Sequence, residues 1–412
     1  MTPDVTRPRR VAVVGAGAAG LAAVQALRLE GFDGALTLVG DEAGPPYDRP
    51  PLSKQLLSGE WRPDRLALRT AAEIAALDLD LRLGVTGTRL DPRAGRLTLS
   101  DGTSVPYDGL IIATGVRARR MPGTGGLAGV HVLRTLDDAL GLRDALVRGS
   151  RLVIVGAGFL GAEVAATARR HGVEVCLVEP GAVPMGRAVG RRVGEVLADL
   201  HRGHGVRLRT GVAVSRVLST GGRATGVELQ DGSVLAADTV LVAIGSTPDT
   251  GWLRDSGLHL LDGVLCDQYC AAAPGVFAAG DVARWSHPSY GRLMRVEHRT
   301  NATEQGMAAA RNLLAGSGAT PFAPTPYIWS DQYDRKIQIF GDPCGDQALI
   351  VEGAVAEGRF VAVYRQGDRV SGVLAMNMPG PLRRWRAAIT GGPELGENAR
   401  MLAGRLADAT PL

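Results

Sequence analysis

Short apolar runs punctuated by glycine organise this chain. Val11 to Val14 is an apolar, β-branched run that stops at Gly15, and a helical stretch opens at Leu21 and continues to Leu29. The same order returns at Leu152 to Val155, Gly156 and Ala162 to Arg170. Each helix is followed by a further apolar run, Ala35 to Val39 in the first copy and Val173 to Val178 in the second. The pattern predicts strand, turn, helix, strand in both places. The likeness continues downstream. Asp101-Gly102-Thr103 precedes the apolar stretch from Tyr107 to Gly115, and Asp231-Gly232-Ser233 precedes that from Ala237 to Gly245. Self-similarity on this scale indicates two copies of one domain type rather than a solenoid. Each copy reads as a βαβ unit, a β-meander and a closing apolar strand that ends at glycine.

The turns carry the candidate chemistry. They read Gly15-Ala16-Gly17-Ala18-Ala19-Gly20 and Gly156-Ala157-Gly158-Phe159-Leu160-Gly161. In a chain with 56 glycines one G-x-G-x-x-G is a weak signal, but here both copies lie between a strand and a helix. Glycines permit a tight turn and close backbone approach, and a helix N-terminus carries roughly half a positive charge, so each turn is a cradle for a pyrophosphate. The second strand of each unit ends at an acid, Asp41 after Gly40 and Glu179 after Val178. A carboxylate there accepts hydrogen bonds from ribose hydroxyls and repels a 2'-phosphate, so Glu179 predicts NADH rather than NADPH. A protein that binds two dinucleotides at once is expected to pass electrons between them.

The predicted fold class is α/β, with two Rossmann-like dinucleotide-binding domains and a C-terminal α+β interface domain. Because the second fingerprint unit is inserted between Gly115 and Gly245, the first domain is discontinuous. The predicted segments are 1–117 and 244–320 for the first domain, 118–243 for the second and 321–412 for the third. Thr303 to Leu314 reads as a helix, and Ala315 to Pro321 as a Gly/Pro-rich linker. Strands are then expected at Lys336 to Phe340, Gln347 to Glu352, Arg359 to Arg365 and Arg369 to Asn377, with a terminal helix at Pro381 to Ile389.

Both fingerprints, Ala113-Thr114-Gly115, Ala243-Ile244-Gly245 and Ala278-Ala279-Gly280-Asp281 resemble the two-dinucleotide flavoprotein superfamily, which has a glutathione reductase-like fold. Three further stretches, Pro45 to Lys54, Arg295 to Gly306 and Trp329 to Tyr333, resemble its oxygenase-coupled ferredoxin reductases. The resemblance implies FAD at the first site and NADH at the second, with hydride passing to the flavin N5. It places Asp41, Arg49, Lys54, Val85, Arg134, Gly280 and Asp281 at FAD, and Phe159, Leu160, Glu163, Glu179, Arg187, Ile244 and Gly245 along NADH. It also sets Lys54 near flavin N5, paired with Glu163, and Trp329 beside the flavin edge. Arg299 departs from the Trp or apolar residue of several relatives in a loop beside the flavin, and its role is open. The implied acceptor is an iron-sulfur ferredoxin, 2Fe-2S or another cluster type, that supplies a P-450 monooxygenase or a Rieske oxygenase.

Cysteine usage points the same way. None precedes Cys176, and Cys266, Cys270 and Cys344 form no C-x-x-C, so neither a redox disulfide beside the flavin nor a metal framework is expected. Of 46 basic residues only Lys54 and Lys336 are lysines, which suggests that a compact ammonium is wanted at Lys54. The net charge is +4, and Arg65, Arg69, Arg299, Arg311 and Arg335 are candidates for steering an acidic partner. No aromatics interleave with the basic residues, so nucleic acid is not suggested. Arg7-Pro8-Arg9-Arg10 reads as a basic tail before the first strand rather than a signal, and no apolar run reaches membrane-spanning length, so a soluble, cytoplasmic monomer or weak dimer is expected. Two other readings stay open: reduction of a small molecule such as monodehydroascorbate or a quinone, and an NADH-sensing role like that of apoptosis-inducing-factor-like proteins.

Overall fold

The first apolar run forms the strand Arg10–Val14, which pairs in parallel with Ala35–Gly40 on one side and Gly109–Ile112 on the other. Parallel strands covered on both faces need unbroken apolar runs, and Val11 to Val14 are all buried. The computed structural model describes residues 7–343, 347–366, 369–389 and 410–411. It divides into two compact units.

The first unit contains residues 7–49, 63–117 and 246–324. Its six-stranded sheet runs Ala271–Ala273, Val276–Ala278, Gly109–Ile112, Arg10–Val14, Ala35–Gly40 and Asp80–Leu83. The helices Ala18–Leu29 and Arg299–Ala315 pack against each other. Gly306 makes their crossing close, since a Cβ there would lie 2.2 Å from the Ala19 carbonyl oxygen. A meander of Gly87–Asp91, Arg96–Leu99 and Ser104–Pro106 completes the repeat expected from the sequence.

The second unit contains residues 50–62 and 118–245, with the described residues from 325 onward. Its parallel sheet runs Arg207–Thr210, Glu174–Glu179, Arg151–Val155, Thr239–Val242 and Val130–His131. A second, antiparallel sheet runs Tyr327–Gln332, Arg335–Gly341, Arg369–Met376, Arg359–Gln366, Gln347–Ala354 and Thr410–Pro411. Its side chains alternate between two cores, as the period of a strand requires. Ile337, Ile339, Phe360, Ala362 and Tyr364 pack with Val189, Val193 and Leu197, while Phe340, Val361 and Val363 pack with Leu382 and Trp385 of the helix Pro379–Ile389.

The two units divide the chain differently from the sequence reading: the residues from 325 onward group with the second unit instead of standing as a third, and the edges near 245 and 324 move by a few residues. Pro50 to Arg62, assigned there to the first domain, groups with the second unit. The cause is local: the Ser53 carbonyl accepts a 2.9 Å hydrogen bond from Thr167 Oγ1, and the Ser53 and Lys54 side chains both reach Glu163. The strands Tyr327–Gln332 and Thr410–Pro411 also add to those expected.

Candidate functional site

Two of the three fingerprint glycines in the first unit are demanded by the chain itself. Gly15 has φ of +115°, and a Cβ there would lie 2.1 Å from the Ala113 carbonyl oxygen. At Gly20 a Cβ would lie 1.8 Å from the Gly15 carbonyl oxygen. Gly17 is different, because its φ of −87° suits any residue and its Cβ would meet only the tip of Arg49, at 3.0 Å. Gly17 is the N-cap of Ala18–Leu29 without a side-chain capping bond, so the first-turn N–H groups of Ala18, Ala19 and Gly20 have no intrahelical acceptor at the positive end of the helix. Arg49 donates to Glu42 at 2.7 Å, while its buried Nε–H has no acceptor among the described residues. Glycine without a packing reason, beside a cation with an unused donor, fits the close approach of a pyrophosphate.

Other predicted residues assemble around this turn. Asp41 and Val85 line a cavity of about 170 Å³ together with Gly15 and Thr114. Thr114 Oγ1 donates to the Asp249 carbonyl at 2.9 Å, between the buried Ala113 and a left-handed Gly115. Gly280, also left-handed, precedes Asp281 and donates its N–H to Gln305 Oε1 at 2.9 Å. Arg299 opens the helix Arg299–Ala315 rather than lying in a loop, and its guanidinium binds Asp48 at 2.5 Å and the Thr303 hydroxyl. It thereby ties together two of the stretches on which the resemblance rests.

The second fingerprint repeats the arrangement. Gly156 has φ of +101° with its Cβ position 2.4 Å from the Ala243 carbonyl oxygen, and the Cβ position of Gly161 is 2.1 Å from the Gly156 carbonyl oxygen. Gly158 has φ of −73°, and a Cβ there would meet nothing within 4 Å. Phe159 and Leu160 start the helix Phe159–Arg170. Glu179 ends its strand as expected, with a further task the sequence did not reveal. Its two carboxylate oxygens accept the backbone N–H groups of Ala157 and Gly181, each at 2.8 Å. A carboxylate has about four acceptor positions, so capacity for ribose hydroxyls remains. Ile244 is 38% exposed beside a left-handed Gly245, and Arg187 is exposed in the first turn of Gly186–Gly203.

Lys54 and Glu163 form a buried ion pair in the second unit, Nζ to Oε2 2.7 Å, with side chains 9% and 7% exposed. Ser53 Oγ donates to the same oxygen at 2.6 Å and Ser330 Oγ to the other at 2.8 Å, so the carboxylate accepts three side-chain donors. Neither serine was anticipated, since each is more than 100 residues from Glu163 in sequence. Arg134 lies in this unit ahead of the helix Leu136–Ala145, its backbone N–H bound to Asp138. Trp329 lies on Tyr327–Gln332, stacked on Tyr327.

Cys176, Cys266 and Cys270 are buried free thiols whose pKa values burial pushes up, the opposite of a reactive thiolate. Cys344 lies outside the described residues. Among the described residues no group of metal-ligating side chains occurs, and no helix is long and apolar enough to cross a membrane. Arg69, Arg299, Arg311 and Arg335 each have an acidic partner in their own unit, which tempers their value for steering.

Two Rossmann-type cradles, each with an acid at the end of its second strand, define a protein of the two-dinucleotide oxidoreductase class. The chain belongs to the pyridine nucleotide-disulphide oxidoreductase family, whose model matches residues 9–306; the reductase C-terminal model matches 327–409. It is 38% identical to rhodocoxin reductase of Rhodococcus erythropolis over 90% of this chain and 86% of that protein. With putidaredoxin reductase of Pseudomonas putida it shares 35% identity over 92% and 91%. A crystal structure of the covalent putidaredoxin reductase–putidaredoxin complex superposes with a TM-score of 0.90, at 33% identity over 97% of this chain and 99% of that one.

Proposed function

We propose that this chain is an FAD-dependent NADH:ferredoxin reductase that feeds an oxygenase system. The observation that carries the reading is the pair of cradles whose central glycines, Gly17 and Gly158, answer to no steric demand of the chain. The acceptor follows from relatives that reduce rhodocoxin or putidaredoxin, or serve as ferredoxin reductase components of the biphenyl and anthranilate dioxygenase systems. Bound FAD supplies the conversion of a two-electron hydride into single electrons.

The work left to the protein is binding, orientation and electrostatics. Gly17, the first turn of Ala18–Leu29, Arg49, Asp41, Gly280 and Asp281 are the residues for FAD. Gly158, the first turn of Phe159–Arg170, Glu179, Arg187, Ile244 and Gly245 are those for NADH. Glu163 holds the Lys54 ammonium at a fixed place, and in this reading that charge favours the reduced flavin. Arg134 and Trp329 keep the roles the resemblance gives them. The partner is a small ferredoxin, taken as 2Fe-2S, and the reductase a cytoplasmic monomer or weak dimer.

The test is NADH-driven cytochrome c reduction by the purified protein, with and without ferredoxins encoded in the same genome. Saturable stimulation by one ferredoxin is expected. Fast flavin reduction with no stimulation by any of them would transfer the assignment to a small-molecule acceptor.

A further inference from the structure

The cavity beside Asp41 is walled by three residues that neither the motifs nor the resemblance singles out: Arg117, Asp249 and Trp252. Arg117 follows the strand Gly109–Ile112, Asp249 and Trp252 lie where the chain returns to the first unit after residue 245, and all three are held in place. The Asp249 backbone N–H donates to the Gly115 carbonyl at 3.0 Å, and the Asp249 carboxylate binds Arg117 Nη2 at 2.9 Å. Trp252 packs beside Gly87, where a Cβ would come within 3.3 Å of ring atoms Cε3 and Cζ3. The indole N–H is buried and has no acceptor among the described residues, a donor that a bound ligand with acceptor atoms would satisfy.

The direction of a dinucleotide in this unit follows from chemistry. The pyrophosphate belongs at the helix N-terminus and the adenosine ribose at the acid that ends the second strand. The next group along the ligand is the base, and the cavity lined by Asp41 is also lined by Val85, Thr86 and Trp252. An indole and a planar guanidinium are both surfaces on which a flat, electron-rich purine stacks.

We propose that Trp252 and the Arg117–Asp249 pair are specificity-determining residues for the adenosine half of FAD, so that the first unit takes FAD in preference to FMN. The inference rests on the reading of this unit as the FAD site. FMN has no adenosine and gains nothing from this wall, whereas ADP carries the same recognition elements as FAD without the flavin.

The test is equilibrium binding to the full chain freed of flavin, with FAD, FMN and ADP as separate probes, read by tryptophan and flavin fluorescence. W252A is expected to weaken FAD about 10-fold, equivalent to about 1.4 kcal/mol, to leave FMN within about twofold, and to abolish competition by ADP. R117A, whose parent side chain is 63% exposed so that folding is not at stake, is expected to weaken FAD about threefold with FMN unchanged. The assignment is overturned if both variants hold FAD as tightly as the parent, or if they lose FAD and FMN in equal proportion. It is also overturned if the parent binds FMN as well as FAD. A parent chain that binds neither flavin overturns the FAD reading itself, which is a separate result.

Discussion

Removing Glu163 alone should destabilise the second unit far more than removing Glu163 and Lys54 together. At 2.7 Å and an effective dielectric of about 20, the attraction between the two charges is about 6 kcal/mol. Most of that offsets the cost of taking both groups out of water, so the pair as a whole contributes little net stability. A Glu163→Leu variant keeps the desolvation of Lys54 and loses the partner, at a cost of about 3–5 kcal/mol. The Ser53 and Ser330 hydroxyls lose their acceptor as well, at about 1 kcal/mol each. For a unit of this size the loss corresponds to a fall in Tm on the order of 10 °C. The double variant Lys54→Met/Glu163→Leu should recover most of it. The assay is calorimetry on the flavin-loaded full chain, which resolves separate transitions where a single two-state melt would mislead. A single variant as stable as the double would refute the argument. The double variant also separates structure from chemistry, because a folded protein without the ammonium should reduce its flavin about 10²-fold more slowly in stopped flow. A change within twofold would remove Lys54 from the mechanism.

Three other outcomes follow from particular residues. Gly17→Ala and Gly158→Ala should leave unfolding of the nucleotide-free chain unchanged while weakening FAD and NADH respectively by about 10-fold or more, whereas Gly20→Ala should fail to fold, its Cβ lying 1.8 Å from a carbonyl oxygen. Glu179→Ala should lower the NADH over NADPH ratio of kcat/KM, and Glu179→Gln should not rescue KM, because one amide NH₂ would face the N–H of Ala157 or Gly181; wild-type kinetics for the Gln variant would contradict this. Burial of His201 lowers its pKa to about 4, so the unfolded chain takes up a proton there that the folded chain refuses as pH falls below 6.5. Stability should therefore drop by about 3 kcal/mol between pH 6.5 and pH 4, and His201→Asn should flatten that slope in denaturant titrations at several pH values.

What the sequence shows well is local. The apolar run, the glycine turn and the helix lie within 20 residues of one another, and their spacing carries the close approach at Gly20 and Gly161, whereas Gly15 and Gly156 also answer to the distant Ala113 and Ala243 carbonyls. Lys54 stood out through composition, as one of two lysines among 46 basic residues. Ser53 and Ser330 gave no such signal, because a hydroxyl that completes a carboxylate's hydrogen bonding looks like any other serine until folding brings it there. Trp252 gave no signal either, because it joins Asp41 and Val85 at one cavity only when the chain has folded. The second role of Glu179 was hidden because its partners are backbone N–H groups, which every residue but proline possesses. Pro50 to Arg62 groups with the second unit through Ser53 and Lys54, whose partners lie more than 100 residues away, and continuity along the chain does not disclose such contacts.

The strand Val276–Ala278 completes the first sheet by pairing with Gly109–Ile112, and Gly306 brings the last helix onto Ala19. These segments are synthesised after the whole of the inserted parallel sheet. During translation, then, the amino-terminal half of the flavin cradle must wait, with one edge of its central sheet open, until some 300 residues have emerged. The inserted sheet, complete in sequence by Val242, has its strands together first. The site nearest the start of the chain is thus the later of the two to be finished, and premature termination anywhere before Gly306 should yield a product unable to retain flavin.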